Sequence, residues 1–424
     1  MRRAAVATLA FAVLALLPVA HAAASTSPAY GIQDDAWLMY GPGTLPQRVA
    51  TLDALGTRLV RFTLRWDKIA SARPATPRDP ADAAYDWGQY ETVLSALHAD
   101  GIAVVVTLYG APSWANGGHP ANWLPKDGYA DFAYAASKRF PWIHQWTIWN
   151  EPNGRTFAVP ASPQAYVRQL LNPAYASLHQ ASPANVVAGG VTSPRKTQSG
   201  VSPLAFMRGM KTAGARLDAY AHNPYAVSSQ ETPFHAPCAH CDVMSMASLP
   251  AIRADVTRYF GAATPLWLTE YGYQTNPPDR LLGVSYALQA RYVGQAALRV
   301  WEQPGVTMLI HFLVRDEPSG GGWQSGLFTV GGLPKPAYHA FALPLAQVSR
   351  SGTRTVLWGQ VRPGSGARPY VLQSYTGGHW LPLGGTVHTS ASGTFTRAVA
   401  LPRGALVRIW SAAAGYASPA LALS

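Results

Sequence analysis

Apolar residues along the chain fall into two alternating rhythms. Short apolar runs of strand length occupy 57–64, 102–109, 143–149, 185–189, 218–222, 264–270 and 306–312, and an earlier one holds Gly31 to Trp37. Between them, apolar positions recur with helical spacing. The pattern is clearest over 87–99, where Tyr90, Val93, Leu94 and Leu97 stand at i, i+3, i+4 and i+7. The same reasoning predicts helices at 46–55, 129–140, 162–180, 203–213, 247–260, 281–301 and 337–348, with Pro173 kinking or breaking the 162–180 stretch. Eight strand–helix repeats predict an α/β fold, a (β/α)8 barrel over residues 28–348. A doubly wound sheet is the rival, but no glycine-rich dinucleotide loop follows the first strand.

After residue 349 the helical rhythm stops. Strand-like segments at 354–361, 369–375, 394–400 and 405–410, punctuated by Gly364, Gly366, Gly377, Gly378 and Gly384, predict a small β-sandwich domain over 352–424. Its tryptophans, Trp358, Trp380 and Trp410, are few and widely spaced, so a packing role is expected for this domain. At the other end, Arg2 and Arg3 precede an uncharged apolar run and the small-x-small triplet Ala20-His21-Ala22. That is the pattern of a signal peptide, residues 1–22, and predicts a secreted, extracellular protein. The run is short for a membrane span and no later segment is apolar for eighteen residues, so no membrane insertion is expected.

The charge balance narrows the partners. The 424 residues carry a formal net charge of +12, yet the basic residues are scattered singly, as at Arg58, Arg61, Arg65, Arg291 and Arg299. No Lys/Arg run or nucleic-acid-binding motif is present, so nucleic acid is not the expected ligand. A basic surface does favour adhesion to acidic polymers, an exopolysaccharide or cell-wall polymer among them.

Two strand ends carry the chemistry. Trp146-Thr147-Ile148-Trp149-Asn150-Glu151-Pro152-Asn153 closes the fourth strand on a polar cluster, and Pro265-Leu266-Trp267-Leu268-Thr269-Glu270-Tyr271-Gly272 closes the seventh. A carboxylate at the C-terminal mouth of a barrel strand sits where barrel enzymes do their chemistry. Strands four and seven face one another across that mouth, so the two glutamates can flank one bond.

With these motifs the sequence resembles the clan of retaining glycoside hydrolases built on (β/α)8 barrels, in particular relatives of bacterial cellulases and β-xylosidase-like enzymes. The resemblance spans residues 30 to 345 and rests on Trp149-Asn150-Glu151-Pro152 and Thr269-Glu270-Tyr271-Gly272. It implies that Glu151 is the acid/base, that Glu270 is the nucleophile, and that Asn150 touches the substrate hydroxyl beside the reacting carbon. It further implies that Arg61 hydrogen-bonds the nucleophile, and that His222-Asn223-Pro224-Tyr225 supplies a histidine or tyrosine near it. Tyr225 is expected in contact with Glu270 and His222 in a supporting hydrogen bond. The chain departs from the clan at Leu108-Tyr109-Gly110, which lacks a histidine, and at His311-Phe312, which lacks a tryptophan; Trp323 on the next loop is its expected replacement. Both departures argue against a specific assignment to cellulose.

Retaining cleavage needs an acid for the leaving oxygen and a carboxylate for the anomeric carbon, about 5 to 5.5 Å apart. One must hold a proton while the other is ionised. An arginine beside Glu270 keeps it charged, while burial and that nearby charge hold the proton on Glu151. Trp114, Trp123, Trp149, Trp267 and Trp323 are candidate sugar platforms; Trp149 and Trp267 are equally suited to the core. Asp34 and Asp316 fit either substrate contact or loop capping. Cys238-Ala239-His240-Cys241, in an exported chain, predicts a local Cys238–Cys241 disulfide, with a metal site from His235, His240 and both cysteines as the alternative. No metal or other cofactor is expected.

These observations predict a glycoside hydrolase that cleaves O-glycosidic bonds of a β-linked oligo- or polysaccharide by double displacement. A non-catalytic carbohydrate-binding or cell-surface protein on the same barrel is the alternative.

Overall fold

The computed structural model describes residues 27–197, 199–236, 242–318 and 322–424. Among these, eight parallel strands close into a barrel in sequence order: β1 (Ala29–Gln33), β2 (Leu59–Arg65), β3 (Ala103–Tyr109), β4 (Gln145–Ile148), β5 (Val186–Thr192), β6 (Ala219–His222), β7 (Leu266–Tyr271) and β8 (Val306–Phe312). β8 returns to β1 with Ala29 opposite Met308 and Gln33 opposite Phe312. The expected (β/α)8 fold is therefore present. Its lumen is a packed core of Leu59, Val105, Ala188, Trp267, Met308 and Ile310. Room in that lumen is tight at Gly31, where a Cβ would stand 2.6 Å from Ile310 Cδ1.

Two elements differ from the sequence expectation for local reasons. The first strand ends at Gln33 instead of continuing to Trp37, because the Asp34 carboxylate accepts the Trp37 backbone N–H and starts a helix at Asp35–Tyr40. The last expected helix, 337–348, is cut to Pro336–Ala342, and the chain then enters a strand. The helical chain continues through Pro173 without a break. The wide turn Val167–Leu171 directly precedes the segment Asn172–Ala181, in which Pro173 stands second.

The C-terminal domain is antiparallel, as expected. Strands β9 (Leu345–Ser351), β10 (Arg354–Gln360) and β14 (Thr394–Ala400) form one sheet in the order β14-β10-β9. A second sheet has the order β12-β11-β15-β16, from β11 (Pro369–Thr376), β12 (His379–Pro382), β15 (Leu406–Ser411) and β16 (Tyr416–Ala417), with β13 (Val387–His388) and β17 (Leu421–Ala422) attached. Leu357, Leu372, Phe395, Val407 and Ile409 fill the space between the sheets, and the Tyr370 and Phe395 rings stack at 4.1 Å.

This domain is joined to the barrel through buried side chains. Trp358 on β10 is fully buried with its ring 5.8 Å from Trp301, the last residue of helix Tyr286–Trp301. Arg362 lies between the rings of Tyr30 and Phe341, 4.2 and 4.4 Å from their centroids, and burial pushes its guanidinium down to about 10. Gly294 lets the helix approach β9, since a Cβ there would meet the Leu345 carbonyl at 2.8 Å.

The expected signal peptide, residues 1–22, lies outside the described residues, as do Cys238 and Cys241. The expected Cys238–Cys241 disulfide is not borne out among the described residues, where no cysteine pair stands at bonding distance. No helix of the described residues is long and apolar enough to cross a membrane.

Candidate active site

The C-terminal ends of the barrel strands open into a cleft of about 720 Å³, with Arg61, Asn150, Glu151, Tyr225, Glu270 and Trp323 among its lining residues. Glu270 is the penultimate residue of β7 and is buried. Glu151 follows β4 on a tight turn in which Trp149 and Glu151 both adopt positive φ, 67° and 40°. Such φ values in non-glycine residues cost of order 1–3 kcal/mol each and need surrounding contacts to hold them. The Glu151 N–H donates to the Val191 carbonyl (2.9 Å), itself on a bulge of β5 with φ 48°.

Arg61, fully buried in β2, organises one side. Its Nε donates to Thr107 Oγ1 (2.8 Å), its Nη1 to Gln33 Oε1 (2.6 Å), the Thr269 carbonyl (3.3 Å) and Glu270 Oε1, and its Nη2 to Asn150 Oδ1 (3.0 Å). One guanidinium therefore ties the residue before Glu151 to the carboxylate of Glu270. The other oxygen of Glu270 accepts from the Tyr225 hydroxyl at 3.2 Å. Burial, then the charges of Glu270 and Glu151, push the Tyr225 hydroxyl well above its usual range, so it remains a donor.

Glu151 has a different environment. Its Oε1 accepts from Asn223 Nδ2 (3.1 Å), and Asn223 Oδ1 in turn accepts from the Thr269 hydroxyl (2.8 Å), which fixes the amide orientation. Burial and the Glu270 charge push its carboxyl up to about 8, against smaller opposing effects of Asn223 and Arg61. At neutral pH one carboxyl holds a proton beside another that is charge-paired.

The other sequence candidates divide. Trp323, 37% exposed, packs on Tyr225 at 5.1 Å and edge-on to Phe312 at 6.0 Å, and faces the cleft. Trp149 does not line it. It is fully buried, donates from Nε1 to the Phe157 carbonyl (2.7 Å) and packs on Tyr109 and Tyr129. Trp267 belongs to the lumen core, Trp114 packs on Trp66, and Trp123 stacks on His119. His222 is buried behind the site between Thr192 Oγ1 (2.8 Å) and the Met244 carbonyl (2.5 Å), and burial pushes it down to about 4, so it stays neutral. Asp34 is a cap that also accepts from the Val314 and Arg315 N–H groups, and Asp316 pairs with buried Lys335. Among the described residues no cluster of side chains fits a metal ion.

Sequence reasoning missed Asn223 and Gln33. Asn223 sits inside the quoted His-Asn-Pro-Tyr segment, one residue past β6, and its position at a strand end was the available signal. Gln33 has the same signal at the end of β1.

No family model and no curated protein sequence matches the chain. Among solved structures, it is similar to a family 39 glycoside hydrolase from the gut symbiont Bacteroides cellulosilyticus WH2, with a TM-score of 0.62, 16% identity, and coverage of 88% of this chain and 80% of that one. It is also similar to a GH39 enzyme from Xanthomonas axonopodis pv. citri, with a TM-score of 0.58, 17% identity, and coverage of 91% and 95%. A hyperthermophilic β-glucosidase from Pyrococcus furiosus follows at a TM-score of 0.51, 14% identity, and coverage of 74% and 94%. At these identities the likeness establishes the architecture: the chain has a glycoside-hydrolase-like (β/α)8 barrel.

Proposed function

We propose that the chain is a retaining glycoside hydrolase acting on O-glycosidic bonds of a β-linked saccharide, with Glu151 as acid/base and Glu270 as nucleophile. The observation that carries this reading is the unequal setting of two carboxyls in one cleft. Glu270 is paired with Arg61 and Tyr225, while burial and the Glu270 charge leave Glu151 at about 8.

In the first step the Glu270 carboxylate forms a bond to the anomeric carbon as the glycosidic bond breaks, and the leaving oxygen takes the Glu151 proton. Asn150, held by Arg61, is the contact for the neighbouring sugar hydroxyl. The ester so formed has no charge, so Glu151 loses the repulsion that favoured its proton and becomes a competent base. In the second step it accepts a proton from water, the water oxygen bonds to the anomeric carbon, and the Glu270 carboxylate is released. Tyr225 donates to the carboxylate as its charge returns. Trp323 offers an apolar face beside Tyr225 on which a sugar ring can stack.

The test is an aryl β-glycoside and β-linked oligosaccharide panel, with the first-formed product anomer read by NMR. Retention is expected, and Glu270→Ala with azide should give the inverted glycosyl azide. An inverted first product refutes double displacement. Oligosaccharides bound but unchanged after long incubation would favour the non-catalytic alternative.

A further inference from the structure

From residue 318 to the C-terminus the chain contains no Asp or Glu. The small domain, 352–424, carries Arg354, Arg362, Arg368, Arg397, Arg403 and Arg408 and no lysine. Among the described residues none of these arginines forms a salt bridge with a carboxylate. Sheet proteins ordinarily intersperse both signs on their surfaces. Here one domain is uniformly cationic.

The same domain exposes an aromatic sheet face. Strand pairing sets Trp380 opposite Tyr375 and Trp410 opposite Val371, and Val371, Gln373 and Tyr375 alternate to one side of β11. Directly paired residues share a face, so Tyr375, Trp380 and Trp410 stand together on the side away from the sandwich core, where Leu372 and Ile409 point. Tyr375 and Trp410 are 46% and 39% exposed. Trp358, by contrast, is committed to the barrel contact. Two strand spacings across and four residues along separate Trp380 from Trp410, a diagonal of about 16 Å.

Arg408 lies between these rings. Its guanidinium sits 4.2 Å from the Trp380 ring centroid, and its Nε donates to Gln373 Oε1 at 2.7 Å. No hydrogen bond from its Nη atoms occurs among the described residues. The face thus combines flat rings, an oriented guanidinium and an amide, inside a domain whose field attracts anions.

We propose that this outer face of the β12-β11-β15 sheet binds an acidic polysaccharide, with Tyr375, Trp380 and Trp410 stacking on sugar rings and Arg408 pairing with sugar carboxylates. The choice of a saccharide over another polyanion rests on the hydrolase reading of the barrel; the charge complementarity and the face do not. The arrangement would hold an acidic chain on residues that do not line the barrel cleft.

Affinity electrophoresis of the full chain in native gels containing sodium alginate tests this without reference to turnover. It is run on wild type and on Glu270→Gln, so that hydrolysis cannot remove the probe. Alginate should retard the protein, hydroxyethyl cellulose should not, and the retardation should fade with added NaCl. Trp380→Ala and Trp410→Ala should each weaken alginate binding about tenfold, and Arg408→Gln should weaken it and flatten the salt dependence. Thermal melting checks that each variant is folded, and exposed Tyr375→Ala substitutes for any that is not.

Unchanged alginate binding in folded variants overturns the proposal, and so does equal retention by the neutral polymer. Binding of single-stranded DNA but not alginate, lost with the same substitutions, would assign the face to nucleic acid instead. A dimer in sedimentation that Trp410→Ala dissolves would assign it to self-association. None of these outcomes bears on whether the barrel cleaves glycosides.

Discussion

Glu270→Gln removes a charge that acts on Glu151 while leaving shape and burial in place. Glu151 titrates at about 8 instead of the ordinary 4.5, with burial the larger cause and the Glu270 charge the second. Two unit charges about 5.5 Å apart, the separation retention requires, repel by about 3 kcal/mol at an effective dielectric constant of 20. That corresponds to about two pH units. The variant should therefore bring the Glu151 midpoint down by about one to two pH units and still leave it above 4.5, because burial persists. The sequence has only six glutamates, Glu91, Glu151, Glu231, Glu270, Glu302 and Glu317, so 13C-carboxyl labelling of glutamate gives a tractable NMR titration, with Glu151→Gln to assign the signal. A midpoint that does not move means that the two carboxyls do not interact, and the mechanism fails with it. A midpoint that falls to the ordinary value means that burial is not the leading cause.

Other outcomes follow from the same contacts. Glu151→Gln should raise the melting temperature more at pH 8 to 9 than at pH 5: between about 4.5 and 8 the unfolded carboxyl is ionised while the folded one keeps its proton, so wild-type stability falls across that window as pH rises. An equal gain at both pH values counts against the raised midpoint. Asn223→Ala deletes the hydrogen bond that opposes the shift, so the basic limb of the kcat/KM profile should move to higher pH and kcat should fall about tenfold or more; an unchanged profile refutes the contact. Lys335→Met leaves Asp316 buried without its partner and should destabilise by about 3–5 kcal/mol in denaturant unfolding, whereas Lys335→Met with Asp316→Leu should recover most of that loss. Additive losses in the double variant would contradict the pairing. Trp323→Ala should raise KM about tenfold on soluble oligosaccharides with a smaller change in kcat, and an effect confined to kcat would remove it from substrate binding.

Much of the barrel was legible because each element repeats one physical pattern. Apolar runs bounded by turn residues marked the strands, and helical spacing such as Tyr90 to Leu97 marked the covering layer. Where local side-chain chemistry overrides the run, the reading failed. Asp34 ends β1 by capping, and Leu345 begins a strand inside a stretch that reads as amphipathic helix. Glu151 and Glu270 stood out because each closes a strand in a polar cluster. The tryptophans did not sort themselves, since a ring buried against Tyr109 and Tyr129, as Trp149 is, has the same sequence context as one facing a cleft. Trp380 and Trp410 looked scattered for a related reason: they meet on one face through strand pairing, which linear spacing does not encode.

Arg362 and Trp358 bear on how this protein can be cut and recombined. Trp358 projects from β10 against Trp301, and Arg362, two residues past the end of β10, is wedged between Tyr30 and Phe341. Severing the chain near 349 would strip cover from one flank of the α/β unit, leaving greasy rings wet at the seam. Such a fragment should precipitate or need detergent, and the excised tail grafted onto a foreign barrel should hang loose. The two parts share one buried seam and should therefore unfold together.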